Sequence, residues 1–196
     1  RENDKDDVDI LYDRAKTIAE AAAMMANVTH EIDLISGIYE IQPNRTGAGI
    51  LQKNLESLGD ISYTDEEIKY ANTILKEAGK PEKGIDGKIN PLRETFPAQG
   101  GSTDVGDVSQ VVPVISLSAT ATAKGGPWHS WAVVACTGMS IGHKGLVYAS
   151  KALAMTMSDL YENPKLLESV KKDFLDNKGY KVYDPRIPSG PPRLID

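Results

Sequence analysis

The stretch from Gly100 to Leu160 constrains the fold more than any other part of this chain. It begins with a glycine-rich turn, continues through an apolar run rich in β-branched residues and a loop that carries a histidine, and ends in a long amphipathic helical pattern. Ligand-type residues on loops at strand ends, with a helix packed behind them, are typical of α/β enzymes. We therefore predict an α/β fold whose functional residues lie on these loops.

The loop around His129 has the pattern of a ligand site. Pro127 stiffens the approach to the histidine, and Trp128 and Trp131 flank it within two residues. A histidine held in this way suits a metal, because the ligand must stay neutral and its ring must be oriented. A loop histidine that is hydrogen-bonded to a carbonyl would show the same pattern, so the residues alone leave both interpretations open.

The glycine turn offers a second group of candidate residues. Gly100 and Gly101 permit backbone geometries that are closed to other residues and let a ligand approach the main chain. Ser102, Thr103 and Asp104 add hydroxyls and a carboxylate. The turn therefore predicts a binding site rather than a particular reaction.

Composition excludes several classes of protein. The 196 residues are 40% hydrophobic and 26% charged. Such a composition is ordinary for a soluble globular protein of one large or two small domains. A net charge of −6 without a Lys/Arg cluster argues against nucleic acid as a partner. No apolar run is long enough to cross a bilayer, which takes roughly 18–20 residues.

The single cysteine, Cys136, agrees with a reducing compartment and is expected to be a buried small hydrophobe. The chain begins at Arg1 without a methionine. We expect a cytoplasmic protein whose natural N-terminus lies upstream of Arg1.

Hydrophobic periodicity and capping residues predict five helices. Asn44 and Thr64 are the expected caps of the second and third helices, and Asn27 should follow the first. His143 falls in the first turn of the fourth helix, where a structural role and a proton-donating or substrate-contacting role both remain open. The predicted spans are approximately 8–25, 45–58, 65–78, 140–160 and 164–178.

Two segments predict β-strands. Val28 to Ile35 alternates apolar and polar residues, which is typical of a strand with one wet face, and His30 falls among the inward positions. Val111 to Ala119 is apolar and rich in β-branched residues. A strand with an unpaired edge invites pairing with another copy of the chain. Residues 80–99 lack periodicity and predict a long loop of the functional or mobile kind.

The order GGSTDVGDVSQVVP, PWHSW and GMSIGHKGLVYASKALA resembles the C-terminal part of M20-family metallopeptidases and amidohydrolases, within the aminobenzoyl-glutamate hydrolase-like branch. The segment from Ile18 to Gly59 resembles the same branch, so the similarity covers roughly residues 8–188. It implies that residues 1–43 are the last helix and strand of an α/β lid, through which the protein forms a homodimer. Residues 44–196 would be the C-terminal part of the catalytic domain, with the 80–99 loop near the mouth of the active site.

The resemblance also implies roles for particular residues. In the family, two divalent metals, zinc or manganese, are held by histidines, glutamates and a bridging aspartate. His129 matches the last metal-binding histidine, and Gly101, Thr103 and Asp104 match a substrate-facing turn. Asn44 either caps its helix or meets the substrate. The other ligands and the general base have no counterpart here, so we expect no catalytic residue in this segment and no activity from it alone.

Three functions can be compared on this basis. The first is the C-terminal segment of a metal-dependent hydrolase that cleaves the amide bond of an N-acyl amino acid or dipeptide-like substrate, of the aminobenzoyl-glutamate type. The alternative is a non-catalytic segment that self-associates. Nucleotide binding at Gly100-Gly101 or Gly125-Gly126 is disfavoured, because neither pair continues into GxGxxG or GxxxxGK.

Overall fold

The computed structural model describes residues 4–93 and 101–191, and within them the chain is helical. Five of the helices confirm the five that periodicity predicts, including the Asn44 cap, the Thr64–Glu67 capping box and Asn27 in a left-handed conformation after the first helix. The helices are α1 (Lys5–Ala26), α2 (Arg45–Leu58), α3 (Asp65–Glu77), α4 (Val105–Ser109), α5 (Trp131–Thr137), α6 (Ser140–Glu162) and α7 (Pro164–Lys178).

The predicted α/β fold is wrong, because the residues described contain no strand or sheet. Residues 28–35 do not join a ladder within that part of the chain, and a strand requires a neighbour for its N–H and C=O groups. His30 is exposed rather than half-buried. The second predicted strand is also absent, since Val111 and Val112 donate to the carbonyl of Val108 and close the turn that follows α4.

The chain divides into two compact units that do not follow the order of the sequence. The first unit comprises Arg1–Pro43, Thr95–Val114 and Asp173–Asp196, and the second comprises Asn44–Glu94 and Ile115–Lys172. The predicted domains 1–43 and 44–196 stay a prediction.

The core of the second unit lies where α3, α5 and α6 meet. Leu75, Cys136 and Ile141 are fully buried there, which confirms the expected role of the cysteine. Helix α6 lies directly against the backbone of residues 120–121, because a Cβ on Gly145 would clash with the Thr120 carbonyl oxygen. Helix α2 packs along α6. These contacts position the elements that carry the histidine loop.

The predicted 80–99 loop is described as far as residue 93, while residues 94–99 lie outside the described part. The described portion has no regular structure but is tied down. Gly84 N–H donates to Asn72 Oδ1 at 2.7 Å, and Lys124 Nζ pairs with Asp86 Oδ2 at 2.6 Å. Residues 80–93 therefore form part of the wall of the second unit.

In the first unit, Asp107 collects hydrogen bonds from the segment around Tyr39. Its carboxylate accepts from Tyr183 Oη at 3.0 Å and from Tyr39 N–H at 3.3 Å. Helix α1 carries an apolar seam that remains exposed along its whole length. The α1 seam consists of Val8, Leu11, Ala15, Ile18, Ala22 and Met25. Among the residues described, none forms a helix long and apolar enough to span a membrane.

Candidate functional site

His129 lies in the second unit, on the short loop that precedes α5. Its φ of +56° is left-handed. This conformation is uncommon for a residue with a side chain and costs roughly 1 kcal/mol. The side chain is exposed, and Ser130 Oγ donates to the Pro127 carbonyl at 2.6 Å and closes the loop. The chain therefore holds this histidine in a strained conformation and presents it to solvent.

Two tryptophans stand on either side of His129. Trp128 is 77% exposed and Trp131 is 54% exposed. Large aromatic side chains that are this open, next to an exposed imidazole, form a surface with one coordinating nitrogen-bearing group and two apolar flanks. Such a surface is suited to being covered by a substrate or by other polypeptide.

A divalent metal needs more ligands than this loop supplies. Structural and catalytic zinc sites use three or four protein ligands. In the described part of the chain, no group of three or more His, Cys, Asp or Glu side chains is placed to hold a metal ion. The described residues therefore do not fit a complete metal centre, and His129 is at most one contributor to such a centre.

The glycine turn belongs to the first unit and leads into α4. Thr103 Oγ1 accepts from Val105 N–H at 3.4 Å and lies 3.5 Å from Asp104 Oδ1, so the threonine hydroxyl closes its own turn. Gly101, Thr103 and Asp104 are all exposed. The Asp104 side chain makes no capping hydrogen bond to α4. Gly100 lies outside the described residues.

Asn44 caps α2 from a buried position, with only 5% of its surface exposed. Its Oδ1 accepts from Gly47 N–H at 2.8 Å, and its Nδ2 donates to the Val170 carbonyl at 2.8 Å. Both ends of the amide are therefore engaged, which confirms the capping role. Contact with a substrate stays a prediction.

Glu67 forms a charged cluster that the sequence pattern revealed only in part. The Thr64–Glu67 capping box was predicted, but the carboxylate also accepts from Ser140 Oγ and from Lys144 Nζ, each at 2.6 Å. Burial acts to raise the pKa of Glu67, yet the hydrogen bonds from Lys144, Ser140 and Thr64 N–H outweigh it and lower the pKa from 4.5 to about 2. No local signal connects Glu67 to residues more than seventy positions away, so sequence reasoning could not find the cluster.

His143 lies on α6 at a cavity of about 500 Å³ in the second unit. It is exposed, and within the described residues its ring makes no hydrogen bond or ion pair. The cavity is bounded on the other side by residues 58–62. The role of His143 was left open by the sequence, and the structure places it on this cavity.

The predicted site residues divide between the two units. His129 and Asn44 belong to the second, whereas Gly101, Thr103 and Asp104 belong to the first. Within the described ranges, no hydrogen bond joins His129 to Asn44. Each group is therefore described by its own surroundings.

The comparisons with known proteins relate the chain to a hydrolase. It is similar to one of the subunits of p-aminobenzoyl-glutamate hydrolase from Escherichia coli (strain K12), with 30% identity over 207 residues. The similarity covers 93% of this chain and 43% of that relative, so the chain spans less than half of the relative's length. No family model matches the chain, and no solved structure matches it. The predicted relationship to aminobenzoyl-glutamate hydrolases is confirmed, whereas membership of the M20 family stays a prediction.

Proposed function

We propose that this chain contributes the C-terminal segment of a metal-dependent hydrolase that cleaves the amide bond of an N-acyl amino acid or dipeptide-like substrate, of the aminobenzoyl-glutamate type. The observation that carries the proposal is the similarity along 93% of the chain to a protein that bears that name. The segment alone is inactive under this proposal. The single buried cysteine is compatible with a cytoplasmic location.

His129 is the residue to which we assign a ligand role. An imidazole that is exposed, held at a left-handed φ and approached through Pro127 is oriented before any ligand arrives. Two zinc or manganese ions per active site would require additional ligands and a general base from polypeptide beyond these residues. The Gly101, Thr103 and Asp104 turn would meet the substrate with its exposed main chain and hydroxyl, and a role for Asn44 would require it to give up part of its cap.

The test measures release of p-aminobenzoate from p-aminobenzoyl-glutamate, with and without added zinc or manganese. It compares the 196-residue chain with the longest protein encoded by its reading frame. We expect metal-dependent turnover only from the longer protein, and a loss on the order of a hundredfold or more in His129→Ala. His30→Ala is the matched control, because His30 is also exposed and unpaired within the described residues.

Two outcomes would contradict the proposal. Undiminished turnover in His129→Ala would remove this histidine from the site while leaving the hydrolase function in place. Absence of amide hydrolysis by the longer protein, with either metal and several N-acyl amino acids, would remove the hydrolase function itself.

Self-association through residues 1–43 is a second candidate function, and the exposed α1 seam favours it. Apolar residues at alternating steps of three and four are the pattern of helices that pair side by side. Ile18 lies on the seam and is 60% exposed, whereas Ile10 lies off the seam and is 67% exposed. If the seam pairs with a second copy, light scattering should give a mass near twice 21.2 kDa, and Ile18→Glu but not Ile10→Glu should reduce it to a monomer.

A further inference from the structure

The cavity beside α6 has walls that are already fixed. Lys144 Nζ donates to the Ser62 carbonyl at 2.9 Å, which ties α6 to the opposite wall. Tyr148 Oη donates to the Leu55 carbonyl at 3.2 Å, and Ile61 N–H donates to the carbonyl of residue 87 at 2.9 Å. The volume of the cavity is about 500 Å³. It falls within the range of preformed small-molecule clefts, which is roughly 300–1000 Å³.

The lining combines an apolar wall with a cation that has no partner. Leu58, Ile61 and Val147 supply apolar surface. Lys151 lies about two turns beyond His143 on α6 and lines the same cavity, and within the described residues its ammonium makes no hydrogen bond or ion pair. The charge of Lys144, in contrast, is already balanced by the Glu67 carboxylate at 2.6 Å.

The carboxylate of Asp60 limits what this lining can hold. One of its oxygens accepts from Ile89 N–H at 2.9 Å, and the group lines the same cavity. A ligand with several negative charges, such as a phosphate ester, would be repelled by Asp60 and would find only one lysine unpaired among the described residues of the lining. A single negative charge on an apolar body matches both the cation and the wall.

We propose that this cavity binds a small monocarboxylate with an aromatic or branched aliphatic body, with the carboxylate held by Lys151 beside His143. The apolar body would lie against Leu58, Ile61 and Val147. The site requires neither His129 nor the proposed amide hydrolysis, so the two proposals can fail separately.

The experiment titrates the 196-residue chain with phenylacetate and follows the imidazole protons of its three histidines by NMR. We expect saturable binding with a Kd of about 1 mM, as is reasonable for a ligand of this size. The His143 resonance should move, while those of His30 and His129 serve as internal controls. Lys151→Met should weaken binding about tenfold, which is what loss of one charge-assisted hydrogen bond gives. Lys53→Met, at an exposed lysine of α2 outside the cavity, should bind as the unaltered chain does.

Matched ligands separate the carboxylate from the apolar body. Phenethyl alcohol should bind at least about tenfold more weakly than phenylacetate, and acetate should not bind measurably. Equal binding of phenethyl alcohol, equal binding by Lys151→Met, or a shift confined to His30 or His129 would each overturn the proposal. So would the absence of any saturable shift at about 20-fold the expected Kd of about 1 mM.

Discussion

The carboxylate of Glu67 joins the beginnings of α3 and α6, and its removal should make the stability of the chain less sensitive to acid. Glu67 accepts hydrogen bonds from Thr64 N–H at 2.7 Å and from Ser140 Oγ and Lys144 Nζ at 2.6 Å. These bonds hold the pKa of Glu67 at about 2 in the folded chain, against an ordinary value of 4.5. Because the folded pKa is the lower one, the stabilisation is present above about pH 4.5 and is lost as the pH falls toward about 2.

The size of this effect follows from the shift, which takes the pKa from 4.5 to about 2. Each unit of pKa corresponds to about 1.4 kcal/mol, which sets an upper limit of about 3 kcal/mol. The Lys144 side chain is 36% exposed. Solvent screening of this partner reduces the expected contribution to about 1–2 kcal/mol. Glu67→Gln should therefore cost about 1–2 kcal/mol at neutral pH and should remove the corresponding loss of stability in acid.

Urea unfolding followed by circular dichroism, repeated between about pH 7 and about pH 3, measures both quantities. Glu66→Gln is the matched control, because Glu66 lies in the same helical turn, is exposed and makes no hydrogen bond or ion pair in the described part of the chain. If Glu67→Gln and the unaltered chain lose stability equally as the pH falls, the carboxylate does not hold the two helices together, and the reasoning is refuted.

Three further predictions concern packing. A Cβ at Gly145 would meet the Thr120 carbonyl, whereas one at Gly49 on α2 would point into open space. Gly145→Ala should therefore destabilise the chain by about 3 kcal/mol or more, and Gly49→Ala should stabilise it by about 1 kcal/mol in the same thermal-unfolding experiment. Asn44→Ala removes both the α2 cap and the bond to Val170. It should cost about 2 kcal/mol in urea unfolding, and a cost below about 0.5 kcal/mol would contradict this. Cys136 should react with a thiol reagent only in denaturant, and rapid reaction in the folded chain would show that its burial is not maintained.

The helices could be predicted because their signals are local. Capping residues and apolar steps of three and four act within one or two turns, and Asn44, Thr64 and Asn27 each occupy the cap position that the pattern indicates. The burial of Cys136 followed from the apolar run around it. That run is itself helical, as α5, although it is too short for periodicity to distinguish a helix from a strand.

The strands could not be judged in the same way, because a strand depends on what lies beside it. Alternation in Val28 to Ile35 describes one segment, whereas a ladder requires a second backbone within hydrogen-bonding distance. The residues described provide no such ladder, and Ile32, Leu34 and Ile35 remain exposed. The α1 seam shows the same limit, since its helix forms while its apolar face remains uncovered.

The candidate site was predictable as a set of residues but not as an arrangement. Pro127 and the two tryptophans indicated a constrained loop at His129, and the left-handed φ is the structural form of that signal. The Glu67 cluster and the cavity at His143 and Lys151 depend on contacts between α6 and residues more than seventy positions earlier. Pairings across such distances leave no local pattern in a single sequence.

The placement of Trp128 and Trp131 has a practical consequence for anyone who studies this chain. They are its only tryptophans, and both stand in the open beside His129. Intrinsic fluorescence therefore reports on this one loop, without labels or engineered probes. Any molecule that shields the two indoles from water should shift their emission toward the blue, so titrations at the histidine can be read directly from the light that the protein emits.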